Sequence, residues 1–278
     1  MAKNDIPQLR IPRFSYDDMP LDWLAGNPLA SCMGNALHML FPAGEQFFVR
    51  SVMHFKEQLR RDPELWQRVR GFAGQEGQHG YQHERVFEIL RAQGVPVDAF
   101  LRLYQAYAFD FIEKHVGSKR VHLSTTVAAE HITATLARLV LTRDAEVFGR
   151  MSPEMASLLR WHAMEELEHQ HVAWDALQSI DDSYALRMAG VFFISVVLFP
   201  FWIGGGAYFA WKRPEPLWKL LLRSRGVSEA VPLDKLLGAL GEYLRRDYTP
   251  GKPGDDELIA QSRAWYERAS EQDQRAAA

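Results

Sequence analysis

Glutamate followed three residues later by histidine occurs at Glu76/His79 and again at Glu166/His169. On a helix this spacing sets the carboxylate and the imidazole one turn apart on a single face. Each pair interrupts an otherwise apolar stripe. One stripe runs Leu65, Val69, Phe72, Glu76, His79, His83, Val86, Leu90; the other runs Met155, Leu158, Leu159, His162, Glu166, His169, Ala173, Ala176. Burying ionised carboxylates is costly unless something neutralises them. A metal ion accepts both donor types.

Two further stripes carry one glutamate each. Phe41, Glu45, Phe48, Val52, Phe55 and Leu59 form the first, and Leu123, Val127, Glu130, Ala134, Ala137 and Leu141 the second. The chain therefore repeats one statement: a helix with a single glutamate, then a helix with Glu-x-x-His. From Glu45 to Glu76 is 31 residues, and from Glu130 to Glu166 is 36. Two such halves make the pattern of a dinuclear metal site in a four-helix bundle. Four carboxylates balance two divalent cations, and the stripes themselves hold no Lys or Arg. The expected metal ligands are Glu45, Glu76, His79, Glu130, His162, Glu166 and His169, with His83 as an additional candidate. The alternative for His83 and His162 is an imidazole bonded to a ligand carboxylate. Glu165, Glu168 and His171 fall off the stripe and are expected in solvent. His131 points about 100° away from Glu130, which sets it beside the site or on the surface. His38 and His54 read as structural, and Phe47, Phe48, Phe55, Phe72 and Phe87 are candidates for apolar walls.

The elements that must hold these residues read as all-α. Residues 1–30, with Pro7, Pro12, Pro20 and Pro28, are expected to form an extended arm on the surface. Residues 31–182 supply the bundle. Asp62-Pro63 and Ser152-Pro153 are helix starts, with a capping side chain before a first-turn proline; Gly94 and Pro96 end the second stripe. The stretch Trp161–Leu177 reads as one helix. Residues 183–278 add an apolar helix or hairpin and C-terminal helices. Within them residues 189–211 carry no charge, which is long enough to span a bilayer core, although Pro200 and Gly204–Gly206 are expected to break a straight span. Packing on the bundle, membrane-surface contact and an apolar lid are the other readings.

A chain of 278 residues, 47% hydrophobic, can bury a large core. A net charge of -3 gives no indication of a nucleic-acid partner. The single cysteine, Cys32, excludes an internal disulfide and fits a cytoplasmic setting, with membrane association as an addition. The N-terminal segment lacks the apolar core of a secretory signal. A homodimer is the default assembly.

The segments FPAGEQFF, FAGQEGQHGYQHE, TVAAEHITA and WHAMEELEHQHVAWD resemble a bacterial family of predicted metal-dependent hydrolases. The resemblance extends from about residue 10 to 250. It departs at Gly251-Lys252-Pro253, where the family has Phe-His-Pro. More distantly, His162-x-x-x-Glu166-x-x-His169 is similar to the di-iron arylamine N-oxygenases, which implies a ferritin-like bundle holding an iron or manganese pair. Two metal ions are expected, iron first, with manganese or zinc as alternatives. The first expected activity is O2-activating oxidation of a small apolar molecule or lipid. The alternative, implied by the hydrolase family, is metal-dependent hydrolysis through a hydroxide shared by the metals. The third is metal binding without catalysis.

Overall fold

The computed structural model describes residues 5–224 and 233–276, and among them the secondary structure is helical apart from one isolated bridge between Leu24 and Met151. In chain order the helices are α1 (Pro28–His38), α2 (Phe41–Met53), α3 (Lys56–Leu59), α4 (Pro63–Ala92) and α5 (Val97–Tyr104). A π-helical segment (Gln105–Glu113) leads to α6 (Lys119–Thr142), α7 (Asp144–Phe148), α8 (Pro153–His169) and α9 (Val172–Ile180). The chain continues through α10 (Tyr184–Trp211), α11 (Leu217–Arg223), α12 (Leu233–Tyr243) and α13 (Asp255–Ala276).

Local sequence sets most of these boundaries. Asp62 caps α4 by accepting from the backbone N–H of Glu64 and Leu65, both at 3.0 Å, with Pro63 at the first helical position. Gly94 beyond its C-terminus adopts φ +83°, a conformation that favours glycine. Ser118 caps α6. The long stripe is not one helix: α8 stops at His169, Gln170 and His171 turn, and α9 resumes at Val172. Gln170 holds that turn to the C-terminal region, donating to Asp255 at 3.0 Å and accepting from the Gly251 N–H at 3.1 Å.

α2 packs on α4 and α6, and α8 packs on the same two, so α2 and α8 stand diagonally in a closed ring of four helices. The ring is all-α and compatible with the expected ferritin-like bundle. α10 lies against α6 and α1, while α12 and α13 cover α6 and α8.

The N-terminal arm is extended, as its prolines require, but it is not a surface strap. Tyr16, Met19 and Trp23 are buried in the core. The arm runs beside α4, whose glutamines take up its backbone: Gln75 donates to the carbonyl of Gln8 at 3.1 Å, Gln82 to Pro12 at 2.9 Å, and Gln93 to Met19 at 2.6 Å. A Cβ on Gly71 would collide with the backbone of Pro7, so this close approach needs glycine.

Candidate metal centre

Each of the four ring helices contributes one buried glutamate to the same interior point: Glu45 from α2, Glu76 from α4, Glu130 from α6 and Glu166 from α8. The apolar residues flanking them on each stripe pack into the core, and all four carboxylates are buried.

The imidazoles arrive on the same two helices as the Glu-x-x-His pairs. Glu76, His79, Glu166 and His169 present ligand atoms that all lie within 4.8 Å of one another. His79 Nδ1 is 3.5 Å from Glu76 and 3.6 Å from Glu166, and His169 Nδ1 is 3.1 Å from Glu130. A second group, Glu45, His83 and His162, meets the same 4.8 Å condition. Glu166 joins the two, since its Oε1 is 2.8 Å from His162 Nε2, and Glu45 lies 3.5 Å from that same nitrogen. The grouping differs from the sequence repeat. The two Glu-x-x-His pairs come together beside Glu130, and Glu45 joins the two remaining histidines.

His83 occupies an intermediate position. Its Nε2 is 2.7 Å from His162 Nδ1 and its Nδ1 is 2.6 Å from His38 Nδ1. His38, expected to be merely structural, is thus the end of a buried three-imidazole chain that starts at Glu166. Nothing in its local sequence signals this; the link depends on α1 crossing α4.

Among the described residues no Lys or Arg pairs with the four glutamates of the site. Both oxygens of Glu45, Glu76 and Glu130, Oε2 of Glu166, Nδ1 of His79 and both ring nitrogens of His169 are buried without a hydrogen bond. Orphaned buried acceptors are costly and rare in folded proteins. Burial pushes the carboxyls of Glu45 and Glu76 well above the usual range, and their mutual repulsion adds to it. Glu130 is also raised by burial, although the nearby His169 opposes it. Burial acts against charge on Glu166 too, but His169 and His162 outweigh it and hold its carboxyl below the usual value. Burial likewise acts against charge on His169, yet Glu130 and Glu166 raise it to about 9. His79 and His83 are held neutral, first by burial and then by neighbouring imidazoles. Divalent cations would satisfy the carboxylate oxygens, His79 Nδ1 and one ring nitrogen of His169, so this donor set fits metal ions.

The opposite side of α8 overturns one expectation. Glu165 and Glu168 are buried, not solvated. Every residue from Trp161 to Gln170 is buried, because α4, α6, α13 and the arm surround this helix. Arg10 of the arm reaches Glu165 at 2.9 Å and Glu168 at 2.8 Å, and Arg263 of α13 reaches Glu168 at 2.7 Å. Burial opposes ionisation of Glu168, but these guanidinium groups and Gln75 hold its carboxyl below its usual value. Glu165, which burial pushes up to about 7 against the pull of Arg10, also lies 3.0 Å from His79 Nε2. With its Nε2 proton on Glu165, His79 turns the Nδ1 lone pair toward Glu76 and Glu166.

The other predicted residues fall into separate places. His131 is buried: Nε2 donates to the Ala239 carbonyl at 2.8 Å and Nδ1 accepts from the Tyr248 hydroxyl at 2.7 Å, so it holds the C-terminal segment. His54 is exposed, and His171 is half-buried against Gly251. Lys252, where the sequence departs from the resembled pattern, pairs with Glu242 at 2.6 Å. Among the wall candidates, Phe47 and Phe48 line an apolar cavity of about 90 Å³ that reaches Glu45. Phe72 sets its ring 5.0 Å from that of His169, and Phe87 sits 5.5 Å from His38. Phe55 lies outside that cavity; Phe41, Tyr104 and Phe109 are among the wall residues not anticipated. A second apolar cavity of about 160 Å³ reaches His162 and His38, sharing Leu37, Phe41, Thr133 and Leu136 with the first.

Fold and site together define an all-α bundle with two adjoining buried Glu/His clusters of the kind that holds metal ions. Residues 8–254 match the family described as predicted metal-dependent hydrolase, and the chain belongs to that family. Comparison with curated proteins and with solved structures found no match.

Proposed function

We propose that the protein is a dinuclear metal-dependent hydrolase acting on a small apolar substrate. The observation that carries the metal assignment is the set of buried, unpartnered donors converging from four helices. Glu76, His79, Glu130, Glu166 and His169 would hold one ion and Glu45 and His162 the second, Glu166 lying between the two groups; His83 would support His162 from behind. Two divalent ions there supply Lewis acidity and a water of lowered pKa. Family membership favours hydrolysis over the oxygen activation that the ligand types first suggest.

The chain's own groups would do the rest. The cavity beside Glu45 is walled by phenylalanine and aliphatic side chains, which would bind the apolar part of a substrate and exclude bulk water. His162, His83 and His38 form a chain of hydrogen bonds toward the second cavity, in which His83 would hold the Nδ1 proton of His162 and so leave its Nε2 lone pair free for a metal. Glu165 would keep His79 in the tautomer that leaves Nδ1 free.

The purified protein should contain two metal ions per chain. It should cleave apolar acyl esters, with activity lost on chelation and restored by zinc or manganese. Ester cleavage that survives complete metal removal would refute this reading. Oxidative transformation of an apolar substrate with Fe(II) and O2, without ester cleavage, would instead establish oxygen activation. The apolar, enclosed surroundings of Glu45 are the observation that keeps this second reading in view.

A further inference from the structure

α10 has 28 residues and is long and apolar enough to cross a membrane. It runs unbroken through Pro200, contrary to the break expected there. Its packing is incompatible with leaving the bundle. A Cβ on Gly190 would collide with Ser124 of α6, and one on Gly205 or Gly206 would collide with Phe100 of α5 or Met33 of α1. The helix is therefore seated flush at both ends on elements of the bundle, and α6 carries Glu130 at its middle. Spanning would drag those helices into the bilayer with it.

Its outer face remains uncovered. Phe192, Pro200, Ile203, Ala207 and Trp211 are exposed along the length of α10, with no charged residue among them. Tyr107 of the π-helical segment sets its ring 5.6 Å from Phe201 of α10, and that segment and its approach expose Leu103 and Phe111. α11 adds Trp218, Leu221 and Leu222, and Leu220 is its buried residue. Trp211 is 73% exposed and Trp218 59% exposed, too much apolar surface in one region to be incidental.

Cations flank this face at both ends; of the acids near it, Glu113 is paired with Arg50, Glu215 with Arg223 and Asp181 with Arg120, while Asp110 of the π-helical segment is exposed. Lys212 Nζ sits 4.3 Å from the Trp211 ring and Lys219 Nζ 5.5 Å from the Trp218 ring. Lys114, Lys119 and Arg120 are exposed at the other end, around the turn where Gly117 meets Phe193. α10 and α11 contain no acidic residue. Indole rings paired with lysines suit the boundary between headgroups and acyl chains, where the ring is buried and the ammonium reaches the phosphates. Across α10, α11 and the π-helical segment a second copy would offer these cations Asp110 as the exposed acid, fewer anions than a phospholipid surface presents.

We propose that the outer face of α10, together with α11 and the π-helical segment, docks on the surface of an anionic lipid bilayer, with α10 lying in the plane of the interface. The full-length protein should float with vesicles of phosphatidylcholine and phosphatidylglycerol and much less with phosphatidylcholine alone. The double variant Lys212→Glu/Lys219→Glu should weaken partitioning by about tenfold or more, since each cation near an anionic surface contributes comparably. Trp211→Ser/Trp218→Ser should weaken it on both vesicle types. These side chains are exposed, so circular dichroism and the melting temperature should stay unchanged. Failure of the wild-type protein to float, or flotation indifferent to both double variants, would overturn the proposal. So would a stable dimer in sedimentation velocity that Trp211→Ser/Trp218→Ser dissociates, because the face would then belong to a second copy. Wild-type protein retained on membranes after alkaline carbonate extraction would show spanning and overturn surface docking.

Discussion

Glu165 and Glu166 are adjacent in sequence, equally hidden from solvent and about 100° apart around α8. Glu165 faces a cluster that contains its own cations, Arg10 and Arg263, and every carboxylate oxygen of Glu165 and Glu168 is hydrogen-bonded. Glu166 faces a cluster of four glutamates that no Lys or Arg of the described residues reaches, in which oxygens of all four lack hydrogen-bond partners. The first arrangement completes itself when the chain folds. The second leaves its acceptors without partners, and the difference separates a structural clamp from a candidate metal centre. Buried carboxylate alone does not distinguish them; the location of the counter-charge does.

The strongest way to break this comparison is to remove a donor from the incomplete side. Glu166→Ala should reduce bound metal from two ions to at most one and lower activity by about a hundredfold or more, as measured by elemental analysis and turnover. Two ions retained would show that Glu166 does not join the groups. On the self-sufficient side, Arg10→Met leaves Glu165 and Glu168 buried with Arg263 as their remaining guanidinium. It should cost about 3–5 kcal/mol and lower Tm by roughly 10 °C, while metal stoichiometry at saturation stays at two. A change in stoichiometry with no change in Tm would reverse the roles of the two sides.

Metal removal should expose a pH dependence. Glu45, Glu76 and Glu130 have folded values raised above those of the unfolded chain, and His169 is raised to about 9. In the metal-free protein the folded state therefore binds more protons than the unfolded state. The stability this provides is present at low pH and is lost as pH rises through the folded values. Melts of chelated protein should fall between about pH 6.5 and 9, and protein loaded with zinc should not follow that decline. A metal-free Tm that rises over the same interval would contradict the assigned electrostatics. The smallest effect is expected for Glu165→Gln, the residue common to both sides. It should weaken metal affinity by about tenfold through the orientation of His79, with two ions still bound at saturation.

The comparison also shows what could be read before the fold was known. Stripes at helical spacing placed Glu45, Glu76, Glu130 and Glu166 in the interior, because periodicity reports which face of a helix is buried. The same logic failed for Glu165 and Glu168. α8 is enclosed on all sides, and a helix buried all round has no polar face for a stripe to define. His38 and Arg10 were invisible as site neighbours for a related reason. Each comes from a distant segment whose approach depends on how α1 and the arm cross the bundle.

By itself the sequence determined the all-α class, the helix starts at Asp62-Pro63 and Ser152-Pro153, and the convergence of carboxylates with Glu-x-x-His pairs, consequences of local capping, first-turn proline and 3.6-residue periodicity. Tertiary structure decided which ligands group together, which carboxylates receive a guanidinium, and that the apolar run around Pro200 stays one helix seated on the bundle. Those outcomes depend on contacts between residues far apart in the chain, such as Arg10 with Glu168 or Gly206 with Met33. Spacing along one helix carries no information about them.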